Sequence, residues 1–271
     1  MGTSYSVIKR RNKLSPAEIS GIISLVFAAA VFFISPLAAG LIAFIYIILC
    51  VLGCFFPQTN FLFPVISRGG SGKNYVALTF DDGPSEPTTK KILNLLDKYN
   101  AKATFFVSGV NAKRHPEIIK EIITRGHSIG NHSYSHNPFL MLKGYRTIQR
   151  EIVQAKEILQ EMGVEALAFR PPVGIINPGL GKILDELDMV CVTFNRRAGD
   201  AGNFFVKNIS KKILNKVRAD DIILLHDVPA KSPQNNEIFL SEAEKILAGI
   251  STRGLAIVPL SILIKSGITR S

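Results

Sequence analysis

The chain has 271 residues, 47% of them apolar against 20% charged, and 32 Lys and Arg outnumber 21 Asp and Glu for a net charge of +11. This composition excludes intrinsic disorder, a collagen-like repeat and a disulfide-stapled miniprotein. The positive balance is shared between residues 1–73 and the rest. With no Trp, no basic heptad helix and no zinc-finger spacing, it points to an anionic membrane surface and away from nucleic acid.

From Ile19 to Phe56 there is no charged side chain. As one helix this run would measure about 57 Å, against a hydrocarbon core of about 30 Å. Ser35-Pro36 interrupts it near the middle, where proline disfavours continued helix. The preferred reading is a transmembrane helical hairpin, Ile19–Ser35 and Leu37–Phe56. One long kinked span and a cleaved signal peptide are the alternatives. Lys9, Arg10, Arg11 and Lys13 precede the run and set the N-terminus in the cytoplasm by the positive-inside rule. A hairpin then returns the chain to the cytoplasm, whereas a single span delivers it outside. The chain thus divides into a basic N-terminus (1–18), a hairpin (19–56), a Pro- and Gly-containing linker along the membrane surface (57–73) and a folded domain (74–271).

Within the domain, apolar strand-like runs alternate with helical patterns. Val76–Phe80 is strand-like and Glu86–Tyr99 helical; Ala103–Val107 is strand-like and Pro116–Arg125 helical. Tyr145–Met162 is a longer helix. Ala166–Arg170 and Met189–Phe194 are strands around a helix at Leu180–Leu187. Val206–Val217 is helical, Ile222–Leu225 a short apolar strand, Ser241–Ile250 a helix and Leu255–Pro259 a last strand. Nearly all-apolar strands alternating with helices mean a parallel sheet covered by helices. Seven or so β–α units suggest a closed or nearly closed barrel, with an open doubly wound sheet as runner-up. Cys50, Cys54 and Cys191 read as buried free thiols.

In α/β barrels, chemistry sits at the C-terminal ends of the strands. Four apolar runs here end in polar residues: Phe80 leads into Asp81-Asp82, Phe169 into Arg170-Pro171-Pro172, Leu225 into His226-Asp227, and Ser128–Asn131 into His132 and His136. Asp82, His132 and His136 make a two-imidazole, one-carboxylate set, with the His pair at i, i+4 on one face of a helical turn. Three protein ligands and an open position are the pattern of a catalytic metal site. If a cation takes one of the adjacent carboxylates, the other is left as a general base. Arg170 is stiffly presented by the prolines after it and suits a bidentate pair with a buried carboxylate. His226, at an apolar strand end, suits proton transfer near neutral pH. His127 reads as a buried structural residue and His115 as a surface or cap residue.

These residues resemble the five ordered motifs of the polysaccharide deacetylase family, also called carbohydrate esterase family four or the NodB-homology domain. They are Thr79-Phe-Asp-Asp-Gly-Pro84, His132-Ser-Tyr-Ser-His136, Arg170-Pro-Pro-Val-Gly174, Phe194-Asn-Arg-Arg-Ala-Gly-Asp200 and Leu224-Leu-His226. The likeness runs from about Val76 to Ile262. It implies a distorted (β/α)7 barrel behind the N-terminal hairpin. It also implies that Asp81 is the general base, that Asp82, His132 and His136 hold a divalent metal, usually zinc, and that His226 is the general acid. Arg170 and Asp200 would orient the base and the acid. The Val173 backbone N–H would complete an oxyanion hole, Leu224 would line the acyl-methyl pocket, and Arg197, three residues before Asp200, would face the substrate. Val173 and Phe194 stand where the family usually carries an aromatic and Trp, which puts polymer binding in doubt more than chemistry.

The expected activity is metal-dependent N-deacetylation of an acetamido sugar. The membrane segment suggests a lipid-linked sugar, such as a polyprenyl-phosphate-linked one, at the bacterial inner membrane, with the catalytic domain cytoplasmic. The alternatives are a peptidoglycan or chitin-type deacetylase outside the membrane and a non-catalytic, metal-bearing sugar-binding protein. Intact Asp81 and His226 oppose the last.

Overall fold

The computed structural model describes residues 14–265 and 269–270. The basic residues Lys9 to Lys13 lie outside the described residues. Helices α1 (Pro16–Phe32) and α2 (Pro36–Phe55) come first. A capping box starts α1, with Ser15 and Glu18 each satisfying the other's backbone N–H. The break between the helices is a second start signal: Ser35 Oγ accepts from Ala38 N at 3.3 Å, and Pro36 fills the first helical position. The two helices pack together, and the Tyr46 hydroxyl donates to the Ala17 carbonyl at 3.2 Å. A Cβ on Gly21 would sit 2.6 Å from the Tyr46 oxygen, so a larger residue there would displace the Tyr46 ring from this contact. By length and composition α2 is apolar enough to cross a membrane, whereas α1 is shorter, at 17 residues. Both helices and the turn between them expose large apolar side chains, including Leu25, Phe33, Ile34 and Leu37.

The domain then runs β1 (Tyr75–Asp81), α3 (Glu86–Lys98), β2 (Thr104–Val107), α4 (Gly109–Arg114), α5 (Pro116–Thr124), β3 (Ser128–Asn131) and α6 (Tyr145–Glu161). It continues with β4 (Glu165–Ala166), β5 (Ala168–Phe169), α7 (Leu180–Glu186), β6 (Val190–Cys191), β7 (Arg196–Arg197), α8 (Ile209–Leu214), β8 (Ile222–His226), α9 (Pro233–Ser251), β9 (Ala256–Ile257), α10 (Leu260–Ile264) and β10 (Thr269–Arg270). The main sheet has the order β6-β5-β3-β2-β1-β8-β7, and β9 pairs with the start of β1. Every pairing in it is parallel. Strand β10 pairs antiparallel with β4.

The result is a curled parallel half-barrel. The central strand β1 is buried in six of its seven residues, and so cannot show the alternation of a half-exposed strand. The helices turn their apolar stripes inward, with Ile92, Leu93 and Leu96 of α3 and Ile118, Ile119 and Ile122 of α5 all buried.

Residues 61–70, within the stretch read as a linker, are built into this architecture. Ile66 pairs in parallel with Val192 after β6, and Arg68 pairs antiparallel with Asp221 before β8. The two bridges span the gap between the ends of the curled sheet. Leu62, Phe63 and Val65 are buried against Phe169, Ile176 and Ile183. Other elements differ from the sequence reading only locally. The expected strand Ala166–Arg170 is split in two, the two-residue strand β7 was not anticipated, and α9 begins at Pro233, well before Ser241. Cys191 is buried, but Cys50 and Cys54 are only half-buried; all three are free thiols.

Candidate active site

The parallel sheet delivers its polar strand ends to one mouth. Asp81 and His226 are register partners on the neighbouring strands β1 and β8. His132 follows β3, and Arg170 follows β5. Asp81, Arg170 and His226 each directly follow a buried apolar residue, and His132 follows the buried Asn131, so core burial fixes where the chemistry projects.

Asp82 lies at the centre. Its Oδ1 is 3.0 Å from His136 Nε2 and 3.3 Å from His132 Nε2. The three donor atoms lie within 4.8 Å of one another. His132 Nδ1 is 2.7 Å from the Arg170 carbonyl oxygen. That contact fixes the proton on Nδ1, which donates to the carbonyl, and turns the Nε2 lone pair toward Asp82. Burial opposes the Asp82 charge, but the two imidazoles outweigh it and hold the carboxyl below the ordinary range. One carboxylate and two imidazoles converging on a shared point, one imidazole oriented from behind, fit a divalent cation. The helical turn expected for the His pair does not form. His132 to His136 follow an irregular loop in which Ser133 and His136 take positive φ of 66° and 52°. Asp82, at φ 75°, and Val173, at φ 54°, are left-handed as well; for a β-branched valine this is strained.

Asp81 is held by Arg170, the largest fully buried side chain. Arg170 Nη1 donates to Asp81 Oδ1 at 2.5 Å and to Thr79 Oγ1 at 2.8 Å, and Nη2 donates to the Thr193 carbonyl at 3.0 Å. The guanidinium lies 3.9 Å from the Phe106 ring centroid. Asp81 Oδ2 is 3.7 Å from His132 Nε2, beside the metal-type cluster. Across the mouth, His226 Nδ1 is 2.7 Å from Asp200 Oδ2. Burial works against the His226 charge, but Asp200, with Asp82 and Asp81 nearby, overcomes it and raises the imidazole to about 9.

Leu224 is buried on β8, paired with Thr79 on one side and Arg197 on the other. Val173 is half-exposed, in the turn after Pro171-Pro172. Arg197, on β7 beside Leu224, is exposed, with its guanidinium 5.8 Å from the Phe194 ring centroid. His127 is buried, as expected of a structural residue, and its Nδ1 accepts from Ala103 N at 3.2 Å. His115 caps the start of α5 by position, without a side-chain capping hydrogen bond, and its Nδ1 lies 3.6 Å from Glu117 Oε1 in the first turn.

Sequence reasoning missed three supporting side chains. Asn203 donates to the carbonyls of His226 at 3.0 Å and Val228 at 2.8 Å, fixing the end of β8. Asp227, fully buried, accepts from Thr88 and Thr89, both at 2.6 Å. Asn111 donates to the Asp82 carbonyl at 2.8 Å. Asp227 had a signal in its place beside His226; Asn203 and Asn111 had none.

Residues 68–192 match the family model for polysaccharide deacetylase. A peptidoglycan-N-acetylglucosamine deacetylase of Bacillus cereus is 30% identical over 197 residues, covering 72% of this chain and 90% of the relative. The chain belongs to the polysaccharide deacetylase family. A second Bacillus cereus protein of the same name is 35% identical over 193 residues, 71% of this chain and 69% of its own. A crystal structure of a peptidoglycan N-acetylglucosamine deacetylase superposes with a TM-score of 0.68 at 31% identity, over 76% of this chain and 95% of that one. A family pseudoenzyme from Bacillus anthracis shares the fold at a TM-score of 0.66 and 21% identity, covering 74% of this chain and 68% of that one. As a member of this deacetylase family, the chain is a metal-dependent amide hydrolase.

Proposed function

We propose that this protein removes the N-acetyl group from an acetamido sugar of a cell-wall glycan of the peptidoglycan type. The observation that carries the chemistry is the pair of opposed devices at one mouth: Asp81 held by Arg170, and His226 held by Asp200, on neighbouring strands. The substrate class is supported by relatives named as peptidoglycan deacetylases, the first covered over 90% of its length. That replaces the lipid-linked sugar as the leading substrate.

Asp82, His132 and His136 would hold the cation, and their N₂O set suits zinc. When bound, it supplies Lewis acidity to the acyl carbonyl and acidity to water. Asp81 Oδ1 is engaged by Arg170, which leaves Oδ2 to take the proton as water attacks the acyl carbon. The Val173 backbone N–H receives the oxyanion as it develops, and Leu224 packs on the acyl methyl. As the C–N bond breaks, His226 gives its Nε2 proton to the sugar nitrogen while Asp200 steadies the ring at Nδ1. The products are the free amino sugar and acetate. The test is amine and acetate release from purified glycan strands, which Asp81→Asn should abolish; release by that variant at the wild-type rate would remove Asp81 as base.

We also propose that α1 and α2 form a membrane-embedded hairpin, with the catalytic unit beginning near residue 61. In support, Ala17 N donates to the Phe61 carbonyl at 2.9 Å, so both ends of the hairpin leave on one side. A wall glycan requires that side to be the exterior. The same geometry favours a second reading, because Lys9, Arg10, Arg11 and Lys13 then share a side with the domain. The positive-inside rule would make that side cytoplasmic, with a polyprenyl-phosphate-linked acetamido sugar as substrate. Alkaline phosphatase fused after Ser271 separates the two: an active fusion supports the wall glycan, and an inactive one with a fluorescent cytoplasmic counterpart supports the lipid-linked sugar.

A further inference from the structure

A cavity of about 500 Å³ lies between the last turn of α2 and the sheet mouth. One wall is Phe55–Gln58, at the end of the apolar hairpin; the others are the turn at Val173 and the stretch from Thr193 to Arg197. The hairpin end is fastened there, because Ile176 N donates to the Cys54 carbonyl at 3.0 Å. Val173 belongs both to this cavity and to the turn whose backbone N–H would meet the oxyanion, so the cavity adjoins the reacting group.

The chemistry of the lining is one-sided. Arg197 is the sole ionised side chain among the lining residues, and no carboxylate opposes it. Arg197 is exposed and makes no ion pair among the described residues, in contrast to Arg196 before it, which is paired with Asp221 at 2.9 Å. An exposed guanidinium with no carboxylate opposite it, at the wall of a cavity, is a place for an acidic, acceptor-rich group. Phe55, Phe56 and Phe194 add apolar faces of the kind on which sugar rings stack.

We propose that the end of α2, Phe194 and Arg197 form a binding subsite for an anionic substituent, a carboxylate or a phosphate, carried by the unit next to the reacting sugar. This rests on the glycan deacetylase reading above and adds that the hairpin supplies part of the substrate site. A neutral glycan gives Arg197 nothing to bind. A glycan whose alternate sugars carry an ether-linked lactyl carboxylate does so, and so does a sugar on a polyprenyl phosphate.

The test is calorimetric, on the full chain in detergent micelles. Binding of a neutral acetylglucosamine tetrasaccharide is compared with that of a tetrasaccharide in which lactyl-bearing sugars alternate. Vesicles with and without polyprenyl phosphate serve as a third ligand. Wild-type protein should bind the acidic glycan about tenfold or more tightly than the neutral one, the usual scale of a charge-assisted contact. Arg197→Gln, at an exposed position, should abolish the preference without weakening the neutral ligand, and Phe56→Ala should weaken both. A preference shown by the polyprenyl-phosphate vesicles alone, and lost in the same variant, keeps the subsite and assigns it to phosphate. Equal affinity for all ligands, or a preference that survives Arg197→Gln, overturns the subsite. Amine release is measured separately: an intact anion preference with no deacetylation of either glycan removes the function reading and leaves the subsite standing.

Discussion

His226 Nδ1 sits 2.7 Å from Asp200 Oδ2, a carboxylate that is itself 1% exposed, so the imidazole carries its charge where desolvation alone would remove it. With its pKa raised to about 9, His226 is protonated through the neutral range. Because the acid role needs the protonated form, kcat should fall as pH rises through about 9. Asp200→Asn should move this alkaline limb to lower pH, as the main stabiliser of the charge is gone. His226→Ala should lower kcat by about 10²- to 10⁴-fold and remove the limb, with metal content unchanged. A pH–rate profile of the three proteins checks this.

Asp82→Ala, His132→Ala and His136→Ala should each lose bound metal and keep the fold, because the side chains lie beyond the strand ends. Asp81→Asn should keep the metal and lose turnover. Metal analysis after dialysis, paired with circular dichroism, distinguishes the two carboxylates. Metal lost in Asp81→Asn but kept in Asp82→Asn would reverse their assignments.

Arg170→Met should be the costliest single change at the site. It leaves the Asp81 carboxylate buried without its partner, and breaking a buried pair from one side costs about 3–5 kcal/mol. Replacing both, in Asp81→Leu with Arg170→Met, should recover part of that loss and none of the activity. Urea unfolding of the single and double variants measures the difference.

His127 gives the fold a weak point in acid. Burial is the main reason its pKa falls to about 4, with Lys102 adding to it. Between pH 6.5 and 4 the unfolded chain takes up a proton that the folded chain refuses, so stability is full above about 6.5 and falls as pH falls. The loss from this group is at most about 3 kcal/mol, reduced by partial solvent screening. His127→Gln should flatten this part of the stability profile, whatever its effect at pH 7. An unchanged slope of denaturation midpoint against pH would exclude His127 as the cause.

What the sequence made legible follows from where the side chains point. The apolar runs before Asp81, Arg170 and His226 announce buried parallel strands, and a strand end fixes its next residue in space, so those positions could be read directly. The strand that carries Arg197 could not be read, because β7 is only two residues long and has no apolar period to detect. The His132–His136 loop could not be told from a helical turn, since i, i+4 spacing is shared by both and positive φ at Ser133 and His136 leaves no mark in the residue types. Asn203 escaped for the same reason: its bonds run to backbone carbonyls, which carry no sequence signature.

The bridges from Ile66 and Arg68 bear on how the chain acquires its shape. Arg68 Nη2 donates to the carbonyl of Ala219, 151 residues later. The piece that spans the open side of the sheet is therefore made early, and its seat late, when β6 and β8 have been synthesised. Contacts of such long sequence separation slow folding, because the loop between them must be ordered first. During that interval the segment around Ile66 and Arg68 has no strand to pair with, next to a bilayer if the hairpin has already inserted, and the nascent domain is most prone to aggregation then.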